Sequence, residues 1–467
     1  MAFNSLTFLG FFAVVYALYL ILQRSWQNRL LLVASYVFYG YWDLRFLLLI
    51  WTSTLVDYVC GLALQRSEDA RRRKLYLGLS LLFNLSILCY FKYANFFFES
   101  FSRILEPMGW APSITLAKII LPIGISFYTF QSMGYTIDVF RRKITASRSL
   151  LDFALFISFF PQLLAGPIEK FSHLMPQMQA NREIGARELR EGIFLILYGY
   201  FQKLCVADNL QPHVNMFFLL PNEHKGWAIV SSLFGAAFYL YADYAGYSNV
   251  ARGIGRLLGF QLTANFRQPS LALSVIDLWS KWNVTVTDWF KTYVARPLID
   301  KNWPRPLIVI LVTTLIGFWH GPSFNYLLWG FLSGCLVLIN RVLRRRRLFE
   351  RFIGDHPLKK GLWWLFMMGF VFIPLNAIFF VHSREDMILI LRNLFLPAQS
   401  MAGLVTLTWL MFAVPMLGFD LLFEIKDDQL YLTKQHWTIQ LAAWALLSSF
   451  ILVSGEMVSH EFHYFQF

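Results

Sequence analysis

Long apolar runs alternate along this chain with short polar stretches that are rich in lysine and arginine. A membrane-crossing helix needs about 20 predominantly apolar residues, and that length predicts ten spans. They lie near residues 4–22, 30–42, 44–64, 75–92, 113–138, 192–216, 227–248, 362–381, 402–423 and 437–456. The pattern therefore predicts an all-α, polytopic membrane protein with about ten transmembrane helices and additional re-entrant or half-inserted helices.

The basic residues predict how these spans are oriented. Cytoplasmic loops of membrane proteins are enriched in Lys and Arg, and all the basic loops fall on one side if the N-terminus is outside. They are residues 24–29, 66–74, 141–148, 170–190, 252–305 and 341–360. The first apolar run, Leu6 to Leu22, has no basic region before it and no small-residue cleavage site after it. We therefore expect a retained span and not a removed signal peptide.

Two apolar segments have basic loops on both sides, so each is expected to enter from the cytoplasm and return to it. The first, residues 150–168, is interrupted by Pro161, Gly166 and Pro167. Such an interruption favours a re-entrant hairpin over a straight span. The second comprises residues 306–340.

In the second segment, about 14 residues precede His320, which corresponds to ~21 Å of helix. A bilayer core is about 30 Å thick, so His320 is expected inside the membrane, where an ionisable side chain usually marks a functional site. Gly321-Pro322 follows directly, and irregular backbone at that depth is tolerated only where it is buried in protein or lines a cavity. The sequence therefore predicts a polar chamber around His320.

Residues 252–305 form the longest stretch between the predicted spans. They contain Trp279, Trp282, Trp289 and Trp303 among basic residues, a mixture typical of interfacial or half-inserted helices. The chain shows no internal repeat, no low-complexity tract and no long linker. We therefore expect a single membrane domain over residues 1–467.

The composition agrees with a membrane protein and excludes other classes. Of the 467 residues, 57% are hydrophobic and only 15% are charged, far from the balance of a soluble domain. The net charge of +13 is spread over short loops without a continuous basic face, so the expected partner is the lipid bilayer and not nucleic acid. The four cysteines stand alone in apolar segments, which predicts small buried side chains without disulfides or a zinc site: Cys60, Cys89, Cys205 and Cys335.

Familiar catalytic motifs are missing from the sequence. It contains no Gly-x-Ser-x-Gly nucleophile elbow, no phosphate-binding loop and no His-Glu-x-x-His, which argues against hydrolase, ATPase and metalloprotease chemistry. Gly253, Gly255 and Gly259 miss the dinucleotide-binding spacing and are expected to serve close helix packing. His460 and His463 superficially resemble a metal pair, but two histidines three positions apart near a terminus are usually incidental, so no metal site is predicted.

The remaining candidates for chemistry are His320 and Asn283. A neutral histidine can remove the proton of an acceptor hydroxyl. An amide can donate a hydrogen bond to the developing oxyanion or hold the acceptor in line. The residues alone leave a second interpretation equally open, in which His320 is a hydrogen-bonded packing element.

Several ordered blocks of sequence identify a family. They are Leu121 to Gln131 (LPIGISFYTFQ), Phe160 to Ile168 (FPQLLAGPI), Tyr241 to Ser248 (YADYAGYS), Gly317 to Gly321 (GFWHG), Leu328 to Gly330 (LWG) and Tyr464 to Phe467 (YFQF). With these blocks the chain resembles the membrane-bound O-acyltransferase (MBOAT) family, in particular its bacterial branch around the membrane subunit of alginate O-acetylation. The resemblance covers almost the whole chain.

The resemblance implies a fold, a reaction and partners. It implies helices around a central funnel, with His320 in the place of the family's invariant histidine. An acetyl or other short acyl group would move from a cytoplasmic thioester, commonly acetyl-CoA, to a hydroxyl of an extracytoplasmic polysaccharide or cell-envelope polymer. Acyl-CoA is then a co-substrate, and no cofactor is bound permanently. Transfer is direct or runs through a periplasmic SGNH-type acetyltransferase or another relay protein, and the chain belongs in the bacterial inner membrane.

Two positions depart from the alginate pattern. That branch usually has a second histidine where this chain has Asn283, 37 positions before His320. The separation is similar to that in family members that pair an asparagine with the histidine. Thr292 stands where the pattern has an acidic residue. Acyl transfer is unaffected by these changes, but the acceptor stays open among alginate, cellulose, peptidoglycan, teichoic acid and other polymers.

Five further residues are candidates for substrate binding, each with a simpler alternative. Lys281 and Arg296 are expected to face the phosphates of a coenzyme, or to act only as topology anchors. Tyr244, Trp282 and Trp319 are expected to line the acyl passage, or only to pack between helices. Two non-enzymatic functions also stand as alternatives: a transporter or flippase for glycans or lipid-linked intermediates, which predicts matching broken repeats, and a scaffold for polymer secretion.

Overall fold

The computed structural model describes residues 1–108, 119–164, 166–346, 354, 356–381, 383–397 and 402–456. Every regular element in these ranges is a helix, which confirms the predicted all-α class. Part of the predicted span at 113–138 lies outside the described residues, as do His460, His463 and the block Tyr464 to Phe467.

Five helices in the described ranges are long and apolar enough to cross a membrane: Leu44–Arg66, Ala70–Met108, Phe324–Arg345, Thr406–Lys426 and Trp437–Ser454. Two shorter apolar helices are Leu6–Ile21 and Arg305–His320. The chain is therefore a multi-pass membrane protein, as predicted. The count of ten spans, the central funnel and the outside N-terminus stay predictions.

The described residues divide into two compact units. The first lies within Met1–Glu188, Ile254–Thr263 and Gly321–Ser323, and the second within Leu189–Gly253, Ala264–His320 and Phe324–Phe467. Each unit has its own buried core of apolar side chains. The expectation of one domain over the whole chain stays a prediction.

The helices of the first unit are short to medium in length, and serine side chains begin two of them. Ser5 Oγ accepts a hydrogen bond from Phe8 N at 3.1 Å, and Ser149 Oγ accepts one from Asp152 N at 3.2 Å, as expected of N-cap residues. The helices are α1 (Leu6–Ile21), α2 (Arg24–Gly40), α3 (Leu47–Arg66), α4 (Ala70–Leu88), α5 (Ala94–Leu105), α6 (Ile125–Phe140), α7 (Leu150–Ser158), α8 (Phe160–Leu163) and α9 (Phe171–Gln179).

A buried carboxylate links α3, α4 and α6. Asp57 is fully buried and accepts hydrogen bonds from Asn84 Nδ2 at 2.7 Å and Thr136 Oγ1 at 3.3 Å, and also from Ser80 and Ser132. In an apolar bundle such interhelical hydrogen bonds contribute about 0.6–2 kcal/mol each. Asp57 therefore holds three helices together through neutral donors.

The predicted interruption of residues 150–168 is confirmed. The segment forms two short helices, α7 and α8, and the chain bends between them at Phe159, where φ is −50° and ψ is 108°. Pro161 occupies the first turn of α8, a position that proline tolerates because the N–H there has no helical partner.

Side chains form hydrogen bonds with the backbone groups that lose their helical partners at this bend. Phe156 O, near the end of α7, accepts hydrogen bonds from Gln131 Nε2 at 2.7 Å and Gln162 Nε2 at 2.8 Å. Phe160 N donates to Ser35 Oγ at 3.1 Å. A break in a buried helix leaves polar groups that must be paired, and these three side chains pair them.

The helices from residue 186 onwards lie wholly or mostly in the second unit. They are α10 (Ala186–Tyr200), α11 (Asp208–Leu219), α12 (Trp227–Leu257), α13 (Val275–Lys281), α14 (Val284–Phe290), α15 (Arg296–Asp300), α16 (Arg305–His320), α17 (Phe324–Arg345), α18 (Pro357–Met367), α19 (Ile373–Phe380), α20 (Arg384–Asn393), α21 (Ala402–Lys426) and α22 (Trp437–Ser454). The region 252–305 is thus a series of short helices, as predicted, while its interfacial location stays a prediction.

Close packing joins α10 to α12, and a buried ion pair joins α12 to the helical residues 201–208 that follow α10. A Cβ atom at Gly253 would lie 2.7 Å from Ile196 Cγ1, which confirms the predicted packing role of Gly253. Lys203 Nζ lies 2.6 Å from Asp243 Oδ1 and 2.8 Å from Asp208 Oδ1, and all three side chains are buried. Removing one member of a buried ion pair costs about 3–5 kcal/mol, so these residues tie the helices together.

The predicted helical hairpin around His320 is present. Helices α16 and α17 pack along each other and are separated in sequence by only three residues. Their approach requires glycine, since a Cβ at Gly317 would collide with Tyr326 O, and one at Gly330 would lie 2.8 Å from Thr314 Cα. Small residues at helix contacts let the backbones approach closely.

The cysteines follow the prediction only in part. Cys60 and Cys205 are buried, whereas Cys89 is exposed and Cys335 is partly exposed. The expectation of four buried side chains is therefore wrong for two of them, because apolar composition alone does not tell which face of a helix is covered by protein. All four are free thiols.

Enlarging a contact glycine should destabilise the hairpin. We expect Gly317→Ala to lower the free energy of unfolding by at least about 1–3 kcal/mol, since the added methyl group meets rigid backbone. Gly361→Ala in α18 is the control, because a Cβ there has open space and alanine favours a helix by about 1 kcal/mol over glycine. Thermal unfolding in detergent measures both, and equal stability of the two variants would contradict the packing assignment.

Candidate active site

A small cavity lies beside His320. Its volume is about 20 Å³, enough for roughly one water molecule. His320 is the last residue of α16 and is 4% exposed. The polar and indole-bearing residues that line this cavity with it are Tyr244, Trp279, Trp282, Trp329 and Asn376. The predicted chamber is present, but its wall is mainly aromatic and not polar, because aromatic side chains from several helices converge there.

Three aromatic rings fix the imidazole of His320. Its ring centroid lies 5.0 Å from that of Trp319, 5.4 Å from that of Trp329 and 5.5 Å from that of Phe379. The interplanar angles of 69°, 86° and 78° describe edge-to-face contacts, which are favourable between aromatic rings. The imidazole is therefore held in one orientation by packing.

Helix α13 brings Trp279 to the cavity wall, and Trp282 follows at its end. The helix begins where Ser274 Oγ accepts a hydrogen bond from Asp277 N at 3.1 Å, an N-cap with an acidic residue in the first turn. After Trp282 the chain turns at Asn283, whose φ of 41° is left-handed, a conformation that asparagine tolerates better than most residues. The cap and the turn set the length of α13.

A buried carboxylate on α21 anchors the segment that precedes α13. Asp420 Oδ2 accepts a hydrogen bond from Ser270 Oγ at 2.6 Å. Its Oδ1 accepts hydrogen bonds from Tyr198 OH at 3.2 Å and Tyr241 OH at 3.1 Å. Since Asp420 is 1% exposed, these neutral donors are its protein partners in a water-poor setting, and they hold Ser270 in place.

Other contacts complete this anchoring. One helical turn after Asp420, Glu424 Oε1 accepts a hydrogen bond from Lys281 Nζ at 2.6 Å. The indoles of Trp363 and Trp364 on α18 donate to the backbone carbonyls of Leu273 at 2.8 Å and Ser270 at 2.7 Å. The segment that carries Trp279 and Trp282 is thus fixed by side chains from two later helices.

Asn283 is buried next to the cavity residue Trp282. It is 6% exposed, and its Oδ1 has no hydrogen-bond partner among the described residues. Asn283 itself is not one of the residues that line the small cavity. Its pairing with His320 in catalysis therefore stays a prediction.

The other predicted binding residues have different surroundings. Tyr244 and Trp282 line the small cavity. Trp319 is buried against the imidazole of His320 but does not line the cavity. Lys281 contacts Glu424 at 2.6 Å and Asp277 at 3.6 Å, a structural role that was not predicted from the sequence. Arg296 is exposed. The predicted role of these five residues in binding substrate stays a prediction.

A larger groove runs along the hairpin of α16 and α17. Its volume is about 920 Å³, and its wall is mostly apolar, with Ile308, Val312 and Ile316 from α16 and Val337 from α17. Four exposed basic side chains also line it: Lys291, Arg305, Arg341 and Arg345. No salt bridge of these four occurs within the described part of the chain. Trp279 lines both the groove and the small cavity.

Three cavity residues were not singled out from the sequence as functional. Trp279 was grouped with interfacial tryptophans, and Trp329 was only part of the LWG block. Asn376 lies in the apolar helix α19. An isolated amide in such a helix indicates a candidate functional residue, since polar side chains inside a membrane are often functional. Their meeting at His320 depends on how α13, α17 and α19 pack.

Comparison with known proteins identifies the family to which the chain belongs. The sequence profile of the membrane-bound O-acyltransferase family matches residues 37–379, a range that contains His320 and every residue named on the cavity wall. The chain belongs to the MBOAT family, and the predicted class of enzyme, an O-acyltransferase, is confirmed. Membership in this family favours acyl transfer over the transporter and scaffold alternatives.

Individual relatives act on bacterial polymers, according to their names. The chain is 38% identical to the probable alginate O-acetylase AlgI of Pseudomonas putida, over 73% of this chain and 71% of that protein. It is 37% identical to the AlgI of Pseudomonas aeruginosa, over 73% of this chain and 66% of that protein. It is 31% identical to the peptidoglycan O-acetyltransferase of Helicobacter pylori, over 84% and 78%.

Replacing the anchoring carboxylate should loosen the cavity wall. We expect Asp420→Asn to lower the free energy of unfolding by about 1–3 kcal/mol, because an amide nitrogen would face a hydroxyl that now donates to carboxylate oxygen. Hydrogen exchange should rise in residues 264–283, and acyltransferase activity should fall. The control is Asp428→Asn, whose exposed ion pair with Lys434 is worth only about 0–1 kcal/mol. Unchanged exchange in residues 264–283 would contradict the anchoring role.

Proposed function

We propose that this protein transfers an acetyl or other short acyl group from acyl-CoA to a hydroxyl of an extracytoplasmic cell-envelope polymer, with His320 as general base. One observation carries the proposal: His320 ends a tightly packed helix beside a small cavity, and Trp279 lines both that cavity and a large groove with four basic side chains. A thioester in the groove would reach the cavity with its acyl end first.

His320 alone can carry the proton from the acceptor hydroxyl to the leaving thiolate. The acceptor oxygen attacks the thioester carbonyl carbon as the imidazole of His320 takes the hydroxyl proton. The tetrahedral intermediate then re-forms its carbonyl and breaks the carbon–sulfur bond, and the leaving thiolate recovers the proton from His320. General-base catalysis of this kind contributes about 10²–10⁴-fold.

The aromatic rings around His320 suit this role. When the imidazole takes a proton it becomes a cation, and ring faces within about 6 Å attract a cation by about 0.5–2 kcal/mol. Trp319, Trp329 and Phe379 have centroids 5.0–5.5 Å away. The same rings that orient the base therefore support its charged form without a fixed carboxylate.

The size of the small cavity supports a short acyl group. About 20 Å³ accommodates little more than one water-sized group, and an acetyl group brings only a methyl group and a carbonyl past His320. A long fatty acyl chain would require the aromatic wall to open.

The groove suits the remainder of acyl-CoA. Its apolar wall follows α16 from Arg305 to Ile316, ~16 Å at 1.5 Å per residue, a length comparable to an extended pantetheine arm. The coenzyme's phosphates carry several negative charges, and Lys291, Arg305, Arg341 and Arg345 provide four positive ones. These residues are now our candidates for the phosphates, in addition to the predicted Lys281 and Arg296.

The acceptor and the location follow from the relatives and the charge pattern. The similar proteins are named for O-acetylation of alginate and of peptidoglycan, so an envelope polymer that bears hydroxyl groups is the proposed acceptor class. By the positive-inside rule, the predicted basic loops support a cytoplasmic location for the groove's charged residues at a bacterial inner membrane, where acyl-CoA is available. Transfer through a periplasmic SGNH-type relay protein remains part of this proposal, as does direct transfer.

Loss of the histidine should abolish transfer without unfolding the protein. We expect His320→Gln to lower kcat about 10²–10⁴-fold, measured as transfer of labelled acetyl from acetyl-CoA in proteoliposomes that contain the acceptor system. The control is His436→Gln, an exposed histidine far along the chain. Asn283→Ala and Asn376→Ala, assayed together with them, show which amide contributes to kcat. Full activity of a folded His320→Gln protein would refute the proposed function, and movement of glycan without acylation would favour transport.

Charge reversal in the groove should weaken donor binding. We expect the double variant Arg341→Glu, Arg345→Glu to raise KM for acetyl-CoA about 10–100-fold while kcat changes little, because two attractive contacts with phosphate become repulsive. The effect should shrink at high salt, which screens exposed charges. Lys359→Glu is the control, since Lys359 lies in the same predicted basic loop but does not line the groove. An equal KM in the two proteins would place the donor elsewhere.

A further inference from the structure

Two indole N–H groups in the cavity wall have no acceptor in the described part of the protein. They belong to Trp279 and Trp329, both of which line the cavity beside His320, and each Nε1 atom is buried. A buried donor without a partner is rare in folded proteins, because the group has lost its water and gained nothing. Two such donors at one small cavity therefore require a reason.

Other tryptophans of the same unit do find acceptors. Trp227 Nε1 donates to Thr406 Oγ1 at 3.0 Å, and Trp409 Nε1 donates to Ser231 Oγ at 2.8 Å. Trp364 Nε1 donates to a backbone carbonyl at 2.7 Å. Indoles in this unit can therefore pair with protein acceptors, whereas the N–H groups of Trp279 and Trp329 at the cavity have none among the described residues.

Packing holds both indoles at the place where the reaction is proposed to occur. The ring of Trp329 lies 5.2 Å from that of Trp279 at 79° and 5.4 Å from the imidazole of His320 at 86°. Trp329 is 5% exposed. Trp279 also lines the groove, so its ring borders both the groove and the cavity that contains His320.

We propose that the indole N–H groups of Trp279 and Trp329 donate hydrogen bonds to the acyl carbonyl oxygen and are catalytic residues of the transfer. This inference rests on the proposed function. When the acceptor oxygen bonds to the carbonyl carbon, the π electron pair moves onto the carbonyl oxygen, and the proton goes to His320. The oxygen then carries a full negative charge, which the two indoles stabilise until the carbon–sulfur bond breaks and the electron pair returns.

The setting makes such donors effective. Donors that are already oriented, in a cavity with little water, need no reorganisation when charge develops. An indole has no acceptor atom of its own, so it cannot satisfy its N–H by turning towards a neighbouring indole nitrogen.

The test removes each N–H while keeping the ring. Replacing Trp329 or Trp279 by β-(3-benzothienyl)alanine, which has sulfur in place of the N–H group, preserves size and aromatic contacts. We expect each replacement to lower kcat for acetyl transfer about 10²–10³-fold, as for the loss of one oxyanion donor, with little change in KM for acetyl-CoA. The same replacement at Trp227 is the control and should leave kcat unchanged.

A second measurement does not depend on turnover. In the His320→Gln background, the carbonyl stretch of bound ¹³C-carbonyl acetyl-CoA should move to higher frequency when either indole N–H is removed, because a hydrogen bond to that oxygen is lost. Unchanged kcat and an unchanged carbonyl stretch in both replacements would overturn the inference while leaving the proposed function intact. Full activity of His320→Gln would instead count against the proposed function itself.

Discussion

The candidate site of the second unit depends on the glycine-mediated contact between α16 and α17. Lipid tails solvate apolar side chains as well as protein does, so helices in a bilayer associate through close packing and polar contacts. Gly317 and Gly330 allow the two backbones to meet where any side chain would collide. That approach brings His320, at the end of α16, beside Trp329 of α17. The same hairpin then supplies one wall of the small cavity and most of the groove.

Several buried charged groups in the two units are paired with other side chains. Asp57, Lys203 and Asp420 are buried, and each has partners on other elements. Such pairing is what an apolar environment demands, since an unpaired polar group there is costly. The buried N–H groups of Trp279 and Trp329 lack that pairing in the described residues. At the cavity beside His320, these two donors are therefore available to a substrate carbonyl.

Much of the fold was predictable because its signals are local. Apolar runs predicted the helices, Pro161 predicted an interruption near the start of α8, and Gly321-Pro322 predicted the end of α16 at His320. The wall of the cavity was predictable only in part. Tyr244 and Trp282 were candidates, whereas Asn376 was missed because a single amide in an apolar helix does not reveal which neighbour it faces. The expected polar chamber is largely aromatic for the same reason.

The role of Lys281 could not be predicted from the sequence. A basic residue near a membrane boundary suits a phosphate of the donor or an anchor equally well, and nothing local decides between them. The structure places its ammonium against Glu424, 143 positions away, while Lys291, Arg305, Arg341 and Arg345 line the groove. By itself, the sequence determined the helices, the family and the candidate base His320, because periodicity, composition and ordered motifs are properties of the chain. Only the tertiary structure decided which aromatic, amide and basic side chains meet that base, because contacts between distant residues depend on how the helices pack.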